Sequence, residues 1–228
     1  MDKDKKRAGF YFQGDRPYIS VTSVLKIIDK SDVLLRWAAR ETYFAMVKNP
    51  NITETEATSA HLKTRDSAAS RGHTIHSLID LFRSSGAVID QVPPPFQGYY
   101  TSFKKWLDKN SPEFVVQEKS IFDEALGIGG TFDALVKINN KFYLVDFKTN
   151  REGNIYPEVQ LQLSAYAYMA RKSGLTVDGV LAVGLSENGT YNERFFTENY
   201  PIFLHTLELW KWKNEELLKK VGFKVGGE

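Results

Sequence analysis

The 228-residue chain has no cysteine. That excludes disulfides, thiolate-held metals, a cysteine nucleophile and a cysteine-bound iron–sulfur cluster. It also lacks any run of ~18 apolar residues, so no segment reads as a membrane-spanning helix. Residues 1–7, Met-Asp-Lys-Asp-Lys-Lys-Arg, have no apolar core of the kind a secretory signal carries, and a cytoplasmic protein is expected. No Gly-x-x-x-x-Gly-Lys-Ser/Thr loop occurs, so no ATP-driven motor and no ATP are expected. Nor is there an excess of one charge: 30 basic residues stand against 28 acidic ones. Any nucleic-acid face must therefore be a local concentration of Lys and Arg, offset by acids elsewhere.

What is present divides near residue 110. Residues 9–20 alternate aromatic and polar positions around Gly14-Asp15-Arg16-Pro17, which predicts a hairpin. Ser20, Thr22 or Ser23 is placed to cap a short helix through Val24, Leu25 and Ile28. Ser31-Asp32 caps a longer helix with Leu34, Leu35, Trp37, Ala38 and Phe44 as its apolar positions, ending before Asn49-Pro50. Thr53 starts an Ala-rich helical stretch to about Phe82, with a break near Thr64 and an end at Ser84-Ser85-Gly86. Pro93-Pro94-Pro95 reads as a stiff spacer before a helix over residues 96–107. Strands are predicted over 114–116, 121–122, 131–138 and 141–147, with a turn at Asn139-Asn140. A helix over 157–172, strands over 175–185 and 191–196, and an amphipathic helix over 200–220 complete the chain. The expectation is one mixed α/β domain over 1–228 with a central mixed sheet flanked by helices. Residues 1–110 form its mainly helical part and 111–228 its α/β core.

Four short patterns carry chemistry. At the end of an apolar strand, Asp146 and Lys148 share one face and Phe147 takes the other. Alone, that also describes an ordinary strand-end ion pair. Gly129-Gly130-Thr131-Phe132-Asp133 sets an acid 13 residues before Asp146, within reach across a hairpin. The two glycines suit a bulge or a close backbone approach to a ligand at a strand start. Crowded carboxylates repel unless a cation lies between them, and Mg²⁺ binds through one or two carboxylates with waters and phosphate oxygens. Arg71-Gly72-His73-Thr74-Ile75-His76 puts a glycine inside a helix at a cost of ~1 kcal/mol, which suggests close approach to something. His76, with a stronger claim than His73, suits a neutral imidazole ligand to the same cation, and a hydrogen-bonded surface or core histidine is the competing role. Gln162 and Tyr166 lie one helical turn apart, directly after the Asp-x-Lys strand.

Taken in order, Gly-x-x-x-His, Gly-Gly-x-x-Asp, Val-Asp-x-Lys-Thr and Gln-x-x-x-Tyr resemble the PD-(D/E)xK nuclease superfamily. The pattern is closest to its RecB-like branch, with the Cas4 proteins and the mitochondrial genome-maintenance exonucleases. Ile19-Ser20-Val21-Thr22-Ser23-Val24-Leu25 looks like the start of many phage-encoded members. The resemblance implies a restriction-endonuclease-like core. It implies that His76, Asp133, Asp146 and the backbone carbonyl of Phe147 hold one or two Mg²⁺ or Mn²⁺ ions. Asp133, Asp146 and Lys148 would be catalytic, and Gln162, Tyr166, Thr149, Ser20 and Thr22 would serve substrate binding. The missing cysteines exclude the cluster-bearing form of Cas4, and Phe132-Asp133 stands where the superfamily's name has Pro-Asp.

The expected activity is metal-dependent hydrolysis of DNA phosphodiesters by an exonuclease working on ends or single strands, in repair or recombination. Recombination or replication proteins are its expected partners, and no membrane is. A structure-specific endonuclease and a catalytically silent DNA-binding or recombination accessory remain alternatives. So does an unrelated scaffold in which these residues form a salt-bridge cluster. Trp37, Tyr43, Tyr99 and Trp106 are candidates for stacking on unpaired bases. Burial in the core is the competing role for each. Ser20 and Thr22 suit either a terminal phosphate or plain helix capping.

Overall fold

The computed structural model describes residues 5–7, 9–28, 30–85 and 92–223. The N-terminal hairpin forms as expected, with strands β2 (Phe10–Gln13) and β3 (Arg16–Ser20) preceded by β1 (Lys5–Arg7). Helices α1 (Val21–Val24), α2 (Ser31–Lys48), α3 (Glu54–Thr58), α4 (Ala60–Ser85) and α5 (Gln97–Asn110) follow. Then come β4 (Glu113–Asp123), β5 (Ile128–Ile138), β6 (Lys141–Thr149), α6 (Glu158–Lys172), β7 (Gly179–Leu185), β8 (Tyr191–Phe196), α7 (Tyr200–Lys213) and α8 (Glu215–Lys220).

All eight described strands belong to one mixed sheet, flanked by helices. Its path is β1-β2-β3-β5-β6-β7-β8, and β4 pairs with β5. β6 and β7 run parallel, linked by α6, and the other core pairs are antiparallel except β3 with β5. The apolar run Gly-Val-Leu-Ala-Val-Gly-Leu of β7 is buried on both faces, as a strand covered on both sides must be. One face carries Leu135, Leu144 and Val180 against α6, α7 and α1. The other carries Val145, Phe147 and Val183 against Ile75 and Ile79 of α4 and Phe103 and Trp106 of α5.

The N-terminal part is less separate than its composition suggests. Ile19 and Ser20 pair with Ile128 and Gly129, so the hairpin extends the same sheet that residues 111–228 build. Other boundaries moved for local reasons. The expected strands over 114–116 and 121–122 are one strand, because the polar stretch between them stays in register with β5 apart from a bulge at Phe114/Val116. The helical stretch after Thr53 opens with a capping box to Glu56, but it breaks at Ser59, not Thr64. Thr64 remains helical, its hydroxyl donating to Glu41 at 2.9 Å. Ser85 ends α4, and Gly86 lies outside the described residues. Pro94–Phe96 forms a 3-10 turn rather than an extended spacer. The strand expected from residue 175 starts at Gly179, since Leu175 still closes the end of α6 by donating to Ala170. The closing helix breaks at Asn214.

The apolar positions assigned to α2 do not enter the core. None of its residues is buried, and Leu34, Leu35 and Phe44 are 52%, 68% and 55% exposed. The helix leans on α3 and α4 through Trp37, whose ring meets His61 edge-on, and through the Glu41–Thr64 bond. Its expected Ser31 cap is also displaced, with Lys30 in the cap position. Ser20 does precede α1, but its side chain makes no capping bond.

Asn139 and Asn140 both adopt positive φ, 49° and 63°, the geometry of a tight hairpin turn that matches the twist of its strands. This turn sets the β5–β6 register and with it the spacing of the acids on the two strands. Asn140→Gly should stabilise the fold by up to about 1 kcal/mol, and Asn140→Val should destabilise it by about 1–2 kcal/mol. Urea denaturation measures both, and a stabilising valine would contradict the assignment.

Candidate active site

A strand has two edges, and β4 pairs with β5 from Ile128 to Lys137, which takes one of them completely. The other edge is shared. β3 pairs only with Ile128 and Gly129, and β6 only with residues from Ala134 to Ile138. Between them the sheet forks at residues 130–133. Asp133 sits at the crotch, one step past the Ala134↔Val145 pair and opposite Asp146. Its carboxylate takes the place of a ladder acceptor: the Phe147 N–H donates to Asp133 Oδ2 at 2.7 Å.

The two glycines are explained by rings rather than by a bulge. A Cβ on Gly130 would lie 2.4 Å from Cε1 of Tyr166, and one on Gly129 would lie 2.6 Å from the Phe122 ring. Tyr166 thus fills the fork from α6. Its phenol is buried, and burial pushes its pKa well above the usual value, helped by Tyr11, Asp146 and Asp133 and opposed by a hydrogen bond with Gln162. Tyr11 also reaches Thr131, its hydroxyl donating at 3.3 Å, so the hairpin strand β2 closes the far side.

Asp146, Lys148 and Gln162 form a closed triangle. Asp146 is only 3% exposed. Its Oδ1 accepts from Gln162 Nε2 at 2.8 Å and from Lys148 Nζ at 3.1 Å, and Lys148 donates to Gln162 Oε1 at 3.0 Å. Asp146 Oδ2 lies 2.8 Å from the same ammonium, at an angle that makes no hydrogen bond. Both oxygens of the buried carboxylate thus lie against the lysine, one through a hydrogen bond and the other through the ion pair alone. Burial alone draws the Lys148 pKa down, but the Asp146 carboxylate, with Asp133 and Glu158 behind it, more than reverses this and holds it above the ordinary lysine value. Two carboxylates, one cation and an amide therefore share a site in which Asp146 is enclosed while Lys148 and Asp133 stay partly exposed.

The remaining expected residues are placed as follows. Thr149 ends β6, and its Oγ1 would lie 3.2 Å from a Cβ on Gly72, so the glycine admits α4 to the strand end, as its helix position suggested. His76 lies one turn further along α4, and its side chain falls outside the described residues, as does that of His73. α4 packs on the Phe147 face and α6 on the Asp146 face. Ser20 is buried beside Gly129, its hydroxyl 2.9 Å from that of Thr22. Thr22 lines the same cleft of about 770 Å³ as Lys148, Thr149 and Gln162. Of the aromatic candidates, Tyr99 and Trp106 are core, Tyr43 is exposed and Trp37 is half-buried. The sequence reading missed Glu158, Tyr156, Lys26 and Lys213, which also line this cleft. Only Glu158 left a trace, as the first residue of the helix that carries Gln162. Among the described residues no three acids or histidines converge as a ready cation site, and no helix is long and apolar enough to cross a membrane.

No protein-family model and no curated protein matches the chain. Among solved structures, the alkaline exonuclease LHK-Exo from Laribacter hongkongensis is similar over 90% of this chain and 91% of its own, at 10% identity and a TM-score of 0.46. LHK-Exo in complex with dAMP aligns over 90% of this chain and 93% of its own, at 12% identity and a TM-score of 0.42. SSO0001 aligns over 91% of this chain and 78% of its own, at 15% identity and a TM-score of 0.42. These are likenesses of chain course and assign no activity.

Removing the lysine tests the electrostatics of the triangle without substrate. Breaking a buried ion pair costs about 3–5 kcal/mol. Lys148 is 33% exposed, which reduces the expected loss for Lys148→Ala to about 1–3 kcal/mol. Because the folded lysine pKa is raised, its contribution is complete below the unfolded value of about 10.4 and fades as pH rises through the folded value. Denaturation of wild type and variant should therefore give a constant gap from pH 7 to 9 and a narrowing one above about pH 10. A gap that widens there would contradict the assignment.

Proposed function

We propose that the chain is a metal-dependent nuclease that hydrolyses DNA phosphodiester bonds, acting as an exonuclease on ends or single strands. The observation that carries this reading is the buried Asp146 carboxylate, opposite Asp133 across the fork and ion-paired with Lys148. Two carboxylates of hard oxygen donors fit Mg²⁺ or Mn²⁺. Asp133 and Asp146 would hold the ion, and the resemblance adds the Phe147 carbonyl and His76 as further donors. When bound, it supplies Lewis-acid stabilisation of the phosphate and a more acidic water.

The chain's own groups have separable tasks. Lys148 is the charged group that faces solvent, so it meets the phosphate and offsets the charge that builds on it in the transition state. Gln162 bonds both Asp146 and Lys148 and keeps them in register. Tyr166, buried behind them, sets the position of α6 against the fork and acts as a positioning residue. Thr149 and Thr22 line the open side and are the substrate contacts, with Ser20 holding the Thr22 hydroxyl from behind.

Purified protein with Mg²⁺ or Mn²⁺ should degrade end-labelled linear DNA and leave a covalently closed circle intact. Asp146→Ala and Lys148→Ala should each lower the rate by at least about 10²–10³-fold, the scale of losing a transition-state charge contact. Variants as active as the wild type would place the chemistry elsewhere. Calorimetric titration with Mn²⁺ should detect binding that Asp133→Asn/Asp146→Asn abolishes, and wild type without any binding would remove the metal from the mechanism.

A further inference from the structure

The cleft that opens beside Lys148 does not end at the site. Lys26, Lys30, Lys148 and Lys213 line it, against a single acid, Glu158. Lys30 is paired with Glu158 and Lys148 with Asp146. Among the described residues, Lys26 and Lys213 have no acidic partner, and they meet here although they are 187 positions apart in sequence. The two also line a second hollow of about 280 Å³ beyond the first. They form a basic saddle between two depressions, away from the carboxylates.

Between the lysines the floor is apolar, made of Leu25, Ile28 and Val159. Tyr156 stands at the rim, 51% exposed, with the Lys30 ammonium 6.0 Å from its ring centre. Its loop is held firmly: Asn150 accepts from the main chain of Glu152 and Asn154 and donates to the Asn154 carbonyl at 2.8 Å. An exposed aromatic on a fixed loop gives up little freedom on contact. A lysine pair for phosphates beside an apolar floor and an exposed ring matches the chemistry of an unpaired strand, whose base faces are open. A duplex hides those faces in its own stack and offers phosphates and groove edges instead.

We propose that this cleft is a track for single-stranded DNA, with phosphates on Lys26 and Lys213 and a base stacked on Tyr156, leading the strand to Lys148. It deepens the nuclease reading and rests on it for the place where the strand is cut. The track itself needs only that an unpaired strand binds here. It gives the enzyme a preference for ends that are already single-stranded or fray easily.

Fluorescence anisotropy in EDTA tests binding apart from cleavage, using labelled oligothymidylate of about 20 nucleotides, longer than usual single-strand sites, and a blunt hairpin duplex. The single strand should bind more tightly than the duplex. Lys26→Gln/Lys213→Gln should reduce the slope of log affinity against log salt by about 1.4, the share of two phosphate contacts on a single strand. Tyr156→Ala should weaken oligothymidylate binding by about 5- to 150-fold and leave the duplex unchanged. Lys141→Gln, at the far end of β6, should bind as wild type. An unchanged slope, or equal losses for strand and duplex, overturns the track even if the protein degrades DNA. The expected pattern in a protein that cuts nothing would uphold the track and remove the nuclease reading.

Discussion

The hydrogen bond from the Phe147 N–H to the Asp133 carboxylate decides where everything else in the site can stand. The β5–β6 ladder stops at Ala134, and β5 must then pass a fork whose other arm is β3. A main-chain donor at that point needs an acceptor, because an unmet buried N–H costs as much as a lost hydrogen bond. Asp133 supplies it from its side chain. The bond therefore closes the ladder one residue past its end and holds one carboxylate in front of another. Ordinary sheet pairing could not produce this juxtaposition without a penalty, and here a backbone requirement fixes it.

The second acid has the opposite environment. Asp146 is enclosed, and enclosure is costly for a charge unless it is paired and hydrogen-bonded. Lys148 and Gln162 meet that need, the first from the same strand face and the second from the helix that follows. The arrangement is asymmetric, since Asp146 is shut away while Lys148 keeps a third of its side chain in the cleft. The described cleft lies on the lysine side. The Thr22, Thr149 and Tyr156 positions surround that approach.

Much of this was legible before the structure, and for identifiable reasons. The strand pattern around Asn139-Asn140 and the period-2 alternation of Asp146 and Lys148 are local properties, and both survive in three dimensions. The Gln162/Tyr166 spacing is equally local. Gly72 was read as a point of close approach, and Thr149 is what approaches. The glycine pair at 129–130 was read for a bulge or ligand and instead makes room for rings, because nothing in a sequence identifies the neighbour across a fork. α2 failed in a different way. Its apolar residues mark a helix correctly but not what that helix packs against, and the sheet face nearby is taken by α4 and α5. The Lys26–Lys213 saddle leaves no local trace, since two lysines so far apart are joined only by the final packing of α7 on the N-terminal turn.

The parallel contact of β3 with β5 has a consequence for how the chain assembles. Asp133, Asp146, Lys148, Gln162 and Tyr166 lie within one continuous stretch, and the strands and helix that carry them close short loops. Ile19 and Ser20, in contrast, wait for Ile128 and Gly129, more than a hundred residues later. Loop closure over that distance is slow relative to hairpin formation. The acid–lysine cluster can therefore organise while the N-terminal hairpin is still searching. Ser20, Thr22 and Lys26 follow directly on that hairpin, so the walls of the cleft depend on the long-range pairing and its chemical centre does not. The shape of the cleft thus hangs on a pairing that spans more than a hundred residues, while its charged centre depends only on neighbours in sequence.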